Sequence, residues 1–215
     1  MKKVTAVVPV RKNSQRVTNK NIKPFGDTNL LELKLKALIS LNPYLQDIVV
    51  SSDCSDMLKI ASDLGLTTHK RDSYFASSKA SNSEFFRNIA ESIQFENMLY
   101  SPVTCPFVGR DTFIKCFELF KGVRNVVTTA PVKHHMWLGG TPLNYDIKNS
   151  PNSQDLPDIS MITYGACLIS KDDMLEFGNV VTESPTFVEL DEVEAVDIDT
   201  ELDFKFAEFL YTQGL

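Results

Sequence analysis

Apolar and polar positions alternate along this chain in two rhythms. A short apolar run, Val4 to Val10, opens it and reads as a buried central strand of a parallel sheet. Leucines at 30, 31, 33, 35, 38 and 41 then give Leu30 to Leu41 a wide apolar helical face. Asp47 to Ser51 is a β-branched strand, and Asp56 to Leu64 a helix stopped by Gly65. Thr67 to His69 is a brief strand, Ser83 to Ile93 a helix with Phe86, Ile89, Ala90 and Ile93 on one face, and Met98 to Ser101 a strand halted by Pro102. A helix, Thr112 to Phe120, and a strand, Asn125 to Ala130, follow. Met161 to Ser170 reads as a strand, Thr186 to Leu190 and Val193 to Ile198 as two short ones, and Glu201 to Leu210 as a closing helix. This alternation predicts a layered α/β/α domain with a largely parallel sheet.

One stretch breaks the rhythm. His134 to Ser160 has little apolar periodicity and many turn formers, among them Gly139, Gly140, Pro142, Asn144, Pro151 and Pro157. A loop longer than ~15 residues inside a compact domain is usually functional or disordered. It is expected to be an excursion from a single domain spanning 1–215, serving as a lid or as an arm that meets another subunit.

Composition narrows the possibilities. A length of 215 residues suits one domain, since compact domains usually hold ~100–200. A net charge of −6 argues against nucleic acid or an anionic membrane as partner. The apolar core of MKKVTAVVPVRK is too short for a signal peptide, and no run approaches ~18 apolar residues, so a cytoplasmic protein is expected. Cys54, Cys105, Cys116 and Cys167 lack zinc-like spacing and read as buried thiols in a reducing compartment.

Against that acidic background the loop after the first strand stands out. It holds Arg11, Lys12, Arg16, Lys20 and Lys23, with Asn13, Ser14 and Asn21 as hydrogen-bonding groups. Open α/β sheets place ligands at the carboxyl ends of their strands, so a polyphosphate is the expected guest. There is no GxGxxG and no GxxxxGK[ST], so phosphate would be held by side chains and loop amides, Arg11 gripping two oxygens at once.

A second candidate is Glu194 to Asp203, EAVDIDTELD. In a strand, Asp197 and Asp199 would share a face with Cα atoms ~6.6 Å apart. Carboxylate oxygens ~5 Å apart repel by ~3 kcal/mol at an effective dielectric near 20. A divalent ion turns that cost into attraction, and Mg²⁺ favours one or two carboxylates plus substrate phosphates. The competing reading is helix capping by Asp199 or Thr200, with Glu201 and Asp203 in the first turn; it leaves Asp197 unexplained.

The loop VRKNSQRVTNKNIKPFG and the segment VDIDTELDFKFAE together resemble the cytidylyltransferases that make CMP-sialic acid and related CMP-activated acidic sugars. KRDSYFASSKAS, CPFVGRDTFIKCFELF, APVKHHMW and TYGACLIS resemble intervening segments of that family, so the likeness runs nearly end to end. It implies a nucleotide-diphosphosugar-transferase-like, Rossmann-like three-layer α/β/α fold with a mostly parallel mixed sheet. It also implies a Mg²⁺-dependent transfer of CMP from CTP to an acidic acceptor, and a homodimer built through the 134–160 arm. Residue by residue, it implies that Arg11, Ser14 and Lys20 hold the triphosphate. It likewise implies that Arg71, Ala76, Ala80 and Ser81 line the cytidine pocket and that Asp197 and Asp199 carry Mg²⁺.

The departures from the family are on the acceptor side and in the loop. Gln15 and Arg16 stand where the family has Lys-Gly, and Arg16 is a candidate phosphate contact. Pro102, Ile162 and Tyr164 replace a glutamine, an arginine and an asparagine of the acceptor site. Losing a charge-assisted grip on a carboxylate would cost ~1.5–3 kcal/mol, so a different acid or a different grip is implied, with Lys133, His134 and His135 as candidates. Surface or arm-packing roles compete for the histidines and Trp137, and turn or cap roles for Ser51, Ser52 and Asp53. A phosphonate or phosphate ester acceptor, another base, and a non-catalytic nucleotide-binding subunit are the alternative functions.

Overall fold

The computed structural model describes residues 2–12, 14 and 16–214; Asn13 and Gln15 of the basic loop lie outside them. In chain order the elements are β1 (Val4–Pro9), β2 (Pro24–Phe25), β3 (Thr28–Asn29), α1 (Leu30–Ile39), β4 (Asp47–Ser52), α2 (Ser55–Asp63), β5 (Thr67–Lys70), α3 (Asn82–Ser92) and β6 (Asn97–Tyr100). They continue with α4 (Arg110–Phe120), β7 (Asn125–Val132), β8 (Trp137–Leu138), β9 (Thr141–Pro142), β10 (Ile159–Ser170), α5 (Lys171–Phe177), β11 (Thr186–Glu189) and α6 (Glu201–Thr212).

Seven strands form the central sheet in the order β11-β7-β10-β6-β1-β4-β5. Pairing is parallel except around β10, which runs antiparallel to both β6 and β7. Each buried strand feeds two cores. Val4, Ala6 and Val8 of β1 face a cluster with Leu31, Leu35, Met57, Phe113, Phe117, Phe204 and Ala207, which come from α1, α2, α4 and α6. Val7 faces the other way, towards Phe86, Ile89 and Ala90 of α3 and Met174 of α5. The result is helices on both faces of a mostly parallel mixed sheet. β1 lies between β4 and β6, so the chain reverses its direction of growth across the sheet there, and a crevice opens at such a switch point.

Two readings are corrected. Val193–Ile198 is not a strand. Asp191 Oδ1 accepts the amides of Val193 and Glu194 in a turn, and the Glu194 carboxylate is drawn to the start of α4, accepting from Gly109 N at 2.8 Å and Thr112 Oγ1 at 2.9 Å. Among the described residues, Ile198 N is the one backbone amide of this stretch that reaches a neighbouring segment, at Thr104 O 2.9 Å away, which makes a tether and no ladder. The second correction is α5, whose helical residues were passed over. Its signals were short: Ser170 as N-cap, accepting from Asp173 N, and left-handed Gly178 as the stop.

β10 carries an irregularity between Ile162 and Cys167. There Tyr164 takes φ +58°, a conformation bulky side chains avoid. The Ser101 hydroxyl donates to Gly165 O, the Thr163 hydroxyl contacts Thr128 O and Oγ1, and Ala166 N donates to Thr128 Oγ1. A Cβ on Gly165 would meet Val108 Cγ2 at 2.7 Å, so only glycine lets the bulge sit this close.

The 134–160 stretch folds as a β8–β9 hairpin turned by left-handed Gly139 and Gly140, then two short 3₁₀ turns. Asn144 pins it, accepting from Met136 N and donating to His134 O. Trp137, Leu138, Leu143 and Ile147 remain exposed on it.

Candidate active site

A cavity of about 530 Å³ lies over the carboxyl ends of the parallel strands, a volume usual for small-ligand sites. Pro9, Val10 and Arg11 bring the end of β1 into it, Arg71 the end of β5, and Tyr100 and Pro102 the end of β6. Thr163 and Tyr164 reach it from the β10 bulge, because β10 continues past the last residue of β6.

The basic loop is anchored by buried Val17 and by Asn21, whose amide donates to Arg11 O at 2.9 Å while Leu31 N donates to Asn21 O. Lys12 N donates to Asp53 Oδ1, tying the loop to the end of β4. This leaves Arg11, Ser14, Arg16 and Lys20 lining the cavity. Arg11 Nη1 reaches Ala76 O at 3.4 Å. Lys20 Nζ donates to Ile198 O at 2.5 Å, and burial holds its ammonium below the ordinary lysine value against the pull of Asp199 and Asp197.

Asp197 and Asp199 face the loop across this cavity, with fully buried Ile198 between them. The alternation expected of a strand therefore survives locally without a ladder. Arg16 Nη2 lies 2.6 Å from Asp199 Oδ1, both side chains about half exposed. Burial pushes the Asp197 carboxyl above the usual aspartate value, opposed by the Thr104 hydroxyl and reinforced by the charge of Asp199. Capping and cavity roles coexist here. Thr200 is the N-cap of α6 and shares a capping box with Asp203, which leaves the two preceding carboxylates free of that duty.

Arg71 is 4% exposed. Its Nη2 donates to Val10 O and its guanidinium sits 5.1 Å from the centre of the Phe85 ring, while Nε and Nη1 have no partner among the described residues. Burial pushes it down to about 10. An enclosed donor pair of this kind is costly unless something accepts from it.

The other expected residues divide between the cavity and its surroundings. Ala80 lines the cavity, but the Ala76 side chain is buried beside it and the Ser81 hydroxyl is spent on a capping box with Glu84 at the start of α3. Lys133 donates to Leu156 O and Asp158, and His135 packs edge-on against Tyr145, both on the arm and outside the cavity lining. Ser51 pairs with His69, Ser52 accepts from Cys54 N, and all four cysteines are buried and unbridged. Phe75, Phe85, Tyr100, Thr104 and Thr163 line the cavity without having been singled out; a tyrosine closing the apolar run of β6 was the one available signal.

For a divalent ion, no cluster of three or more histidine, cysteine or acidic side chains exists among the described residues. The two aspartates would have to share it with substrate oxygens. That fits Mg²⁺, which commonly binds through one or two carboxylates plus phosphates.

Cations and a carboxylate pair facing one cleft above the carboxyl ends of parallel strands define a nucleotide-handling transferase of the α/β class. Residues 5–118 match the model of the family described as Cytidylyltransferase, and the chain belongs to that family. It is thus a nucleotidyltransferase, moving CMP from CTP. It is 25% identical to the post-translational flagellin modification protein B of Campylobacter coli, over 98% of this chain and 95% of that one. It is 26% identical to a pseudaminic acid cytidylyltransferase of Campylobacter jejuni, over 95% and 94%. Among solved structures, CMP:2-keto-3-deoxy-manno-octonic acid synthetase complexed with CTP superposes with a TM-score of 0.72 at 10% identity, over 99% of this chain and 100% of that one. That match shows the shared fold.

Proposed function

We propose that this cytidylyltransferase moves CMP onto an acidic sugar. An acceptor hydroxyl attacks the α-phosphorus of CTP, a new P–O bond forms, the bond to the β-phosphate oxygen breaks, and pyrophosphate leaves. The observation that carries this is the opposition of Arg11, Arg16 and Lys20 to Asp197 and Asp199 across one cavity. The similarity to a pseudaminic acid cytidylyltransferase supports an acidic acceptor.

Transfer at phosphorus needs positioning and charge neutralisation more than covalent help. Arg11, Lys20 and the Ser14 hydroxyl would steady the triphosphate, and Arg16 would exchange Asp199 for a phosphate oxygen. Arg71, with two donors unpartnered among the described residues, would offer them to the cytosine base or ribose beside Ala80 and Phe75. Asp197 and Asp199 would hold Mg²⁺ together with phosphate oxygens; once bound, it would neutralise charge on the phosphates and acidify the acceptor hydroxyl. A homodimer through the arm is supported by its exposed Trp137, Leu138, Leu143 and Ile147. No helix among the described residues is long and apolar enough to cross a membrane, and a cytoplasmic location is part of the same reading.

One observation favours a variant acceptor. The wall of Pro102, Val103, Thr104, Thr163 and Tyr164 carries no cation, so a carboxylate there would rely on hydroxyls. A phosphate ester or phosphonate reaching back to the loop cations is the second reading.

Pyrophosphate release with each of the four ribonucleoside triphosphates, with and without Mg²⁺, across nonulosonic acids, Kdo and phosphonates tests all of this. CTP with a nonulosonic acid is expected to dominate, and Asp199→Ala to lower turnover about a hundredfold or more. Undiminished release by that variant would remove the metal assignment. Release with phosphonates alone would select the second reading.

A further inference from the structure

Outside the cavity, Lys34 has no part in the chemistry above and yet is the most unusual charged residue in the molecule. It projects from α1 into the main core and is fully buried. Its ammonium has one hydrogen-bond acceptor among the described residues, Cys105 O at 2.7 Å, and lies 5.5 Å from the centre of the Phe113 ring. Burying a charge with so few partners is costly, and an apolar side chain there would commonly serve stability as well or better. A role beyond stability should therefore show in what its one partner holds.

That partner is the segment after β6. Cys105 Sγ donates to Thr163 O at 3.1 Å and lies 3.7 Å from Asp197 Oδ1. The neighbouring carbonyl, Thr104 O, accepts from Ile198 N at 2.9 Å, and Ile198 O in turn accepts from Lys20. The stretch carrying Asp197 and Asp199 has no sheet ladder of its own. Its approach to the cavity depends on the 104–105 segment, which the lysine grips from beneath.

We propose that Lys34 is a positioning residue for the Asp197–Asp199 segment, fixing from inside the core the backbone on which both carboxylates hang. The consequence for metal binding rests on the reading that these aspartates hold a divalent ion; the positioning itself does not.

The test uses the full chain with Lys34→Met, close to isosteric, and Lys34→Leu as a second apolar replacement. Hydrogen exchange at the Ile198 amide is expected to quicken about tenfold or more, while amides of β4 keep their protection. CTP affinity without metal should stay within about twofold, and the enhancement of CTP affinity by Mg²⁺ or Mn²⁺, read by calorimetry, should fall about tenfold or more, as when the outer supports of metal ligands are lost. Unchanged exchange at Ile198, or faster exchange spread evenly over the molecule, would overturn the proposal. So would an intact metal enhancement in the variants, or the failure of both to fold, which would mark the lysine as structural alone. Should wild-type protein bind CTP equally with and without metal while the variants still free Ile198, the positioning stands and the metal reading falls.

Discussion

Lys34 also shows what a single residue can report. Burial pushes its ammonium down to about 8, from an ordinary 10.5. Between those values the unfolded chain holds a proton there that the folded chain does not, so this residue's contribution to stability increases as pH rises. The difference in unfolding free energy between wild type and Lys34→Met should therefore move in favour of the wild type by about 3 kcal/mol from pH 7 to pH 11. Denaturant titrations of both proteins at matched pH would check it. In the sequence this lysine was visible only as a charge interrupting the leucines of α1. Nothing in that pattern says whether such a side chain bends out to water or stays inside. Arg71 was expected in the site through family likeness and does line the cavity, but its two donors without a partner among the described residues were not legible. Ser81 fell on the expected segment and proved to be a helix cap, a role its spacing to Glu84 already announced.

At the scale of elements, the alternation of helix and strand was legible because the inner strands β1, β4, β6 and most of β7 are buried on both faces while the helices show one apolar stripe. The misreading of Val193–Ile198 has the opposite cause. Its apolar residues are as dense as a strand's, but Asp191 and Glu194 draw the backbone into a turn and onto α4 before any ladder can form. The β10 bulge was invisible for a related reason, since its shape comes from Ser101 and Thr128, far away in sequence. The family likeness leads to an expectation of asparagine at the place of Tyr164, and asparagine tolerates left-handed backbone where tyrosine does not. Holding a tyrosine there costs about 1–2 kcal/mol, which a packed scaffold can sustain where function gains from it. Tyr164→Asn should accordingly raise stability by about 1 kcal/mol. It should also raise KM for the acceptor while leaving KM for CTP within about twofold, an outcome read from thermal melts and steady-state kinetics together. An unchanged acceptor KM would detach Tyr164 from recognition.

Over the whole molecule, charge is arranged against its own average. The chain is net −6, while Arg11, Arg16, Lys20 and Arg71 gather in one cleft, so the field is focused where a polyanion would enter. Composition alone could exclude broad partners but not find this patch; the loop's position after β1 did that. The arm was legible as an excursion from its turn formers, though its hairpin and its pinning by Asn144 were not. β10 gives that arm a mechanical meaning. The strand begins at Ile159, where the arm ends, and reaches Tyr164 before its pairing with β7 resumes at Cys167. Between the arm and the cavity wall there is thus a short, stiff rod of backbone, laddered to β7 from Ile159 to Ile162 and released from it only around the tyrosine. A second subunit gripping the arm would push or pull on that rod, making assembly and substrate choice two ends of one transmission. Diluting the enzyme through the dissociation range of the proposed dimer, followed by sedimentation, should then raise KM for the acceptor with little change for CTP. Equal KM values at both extremes of concentration would show that the rod carries no load.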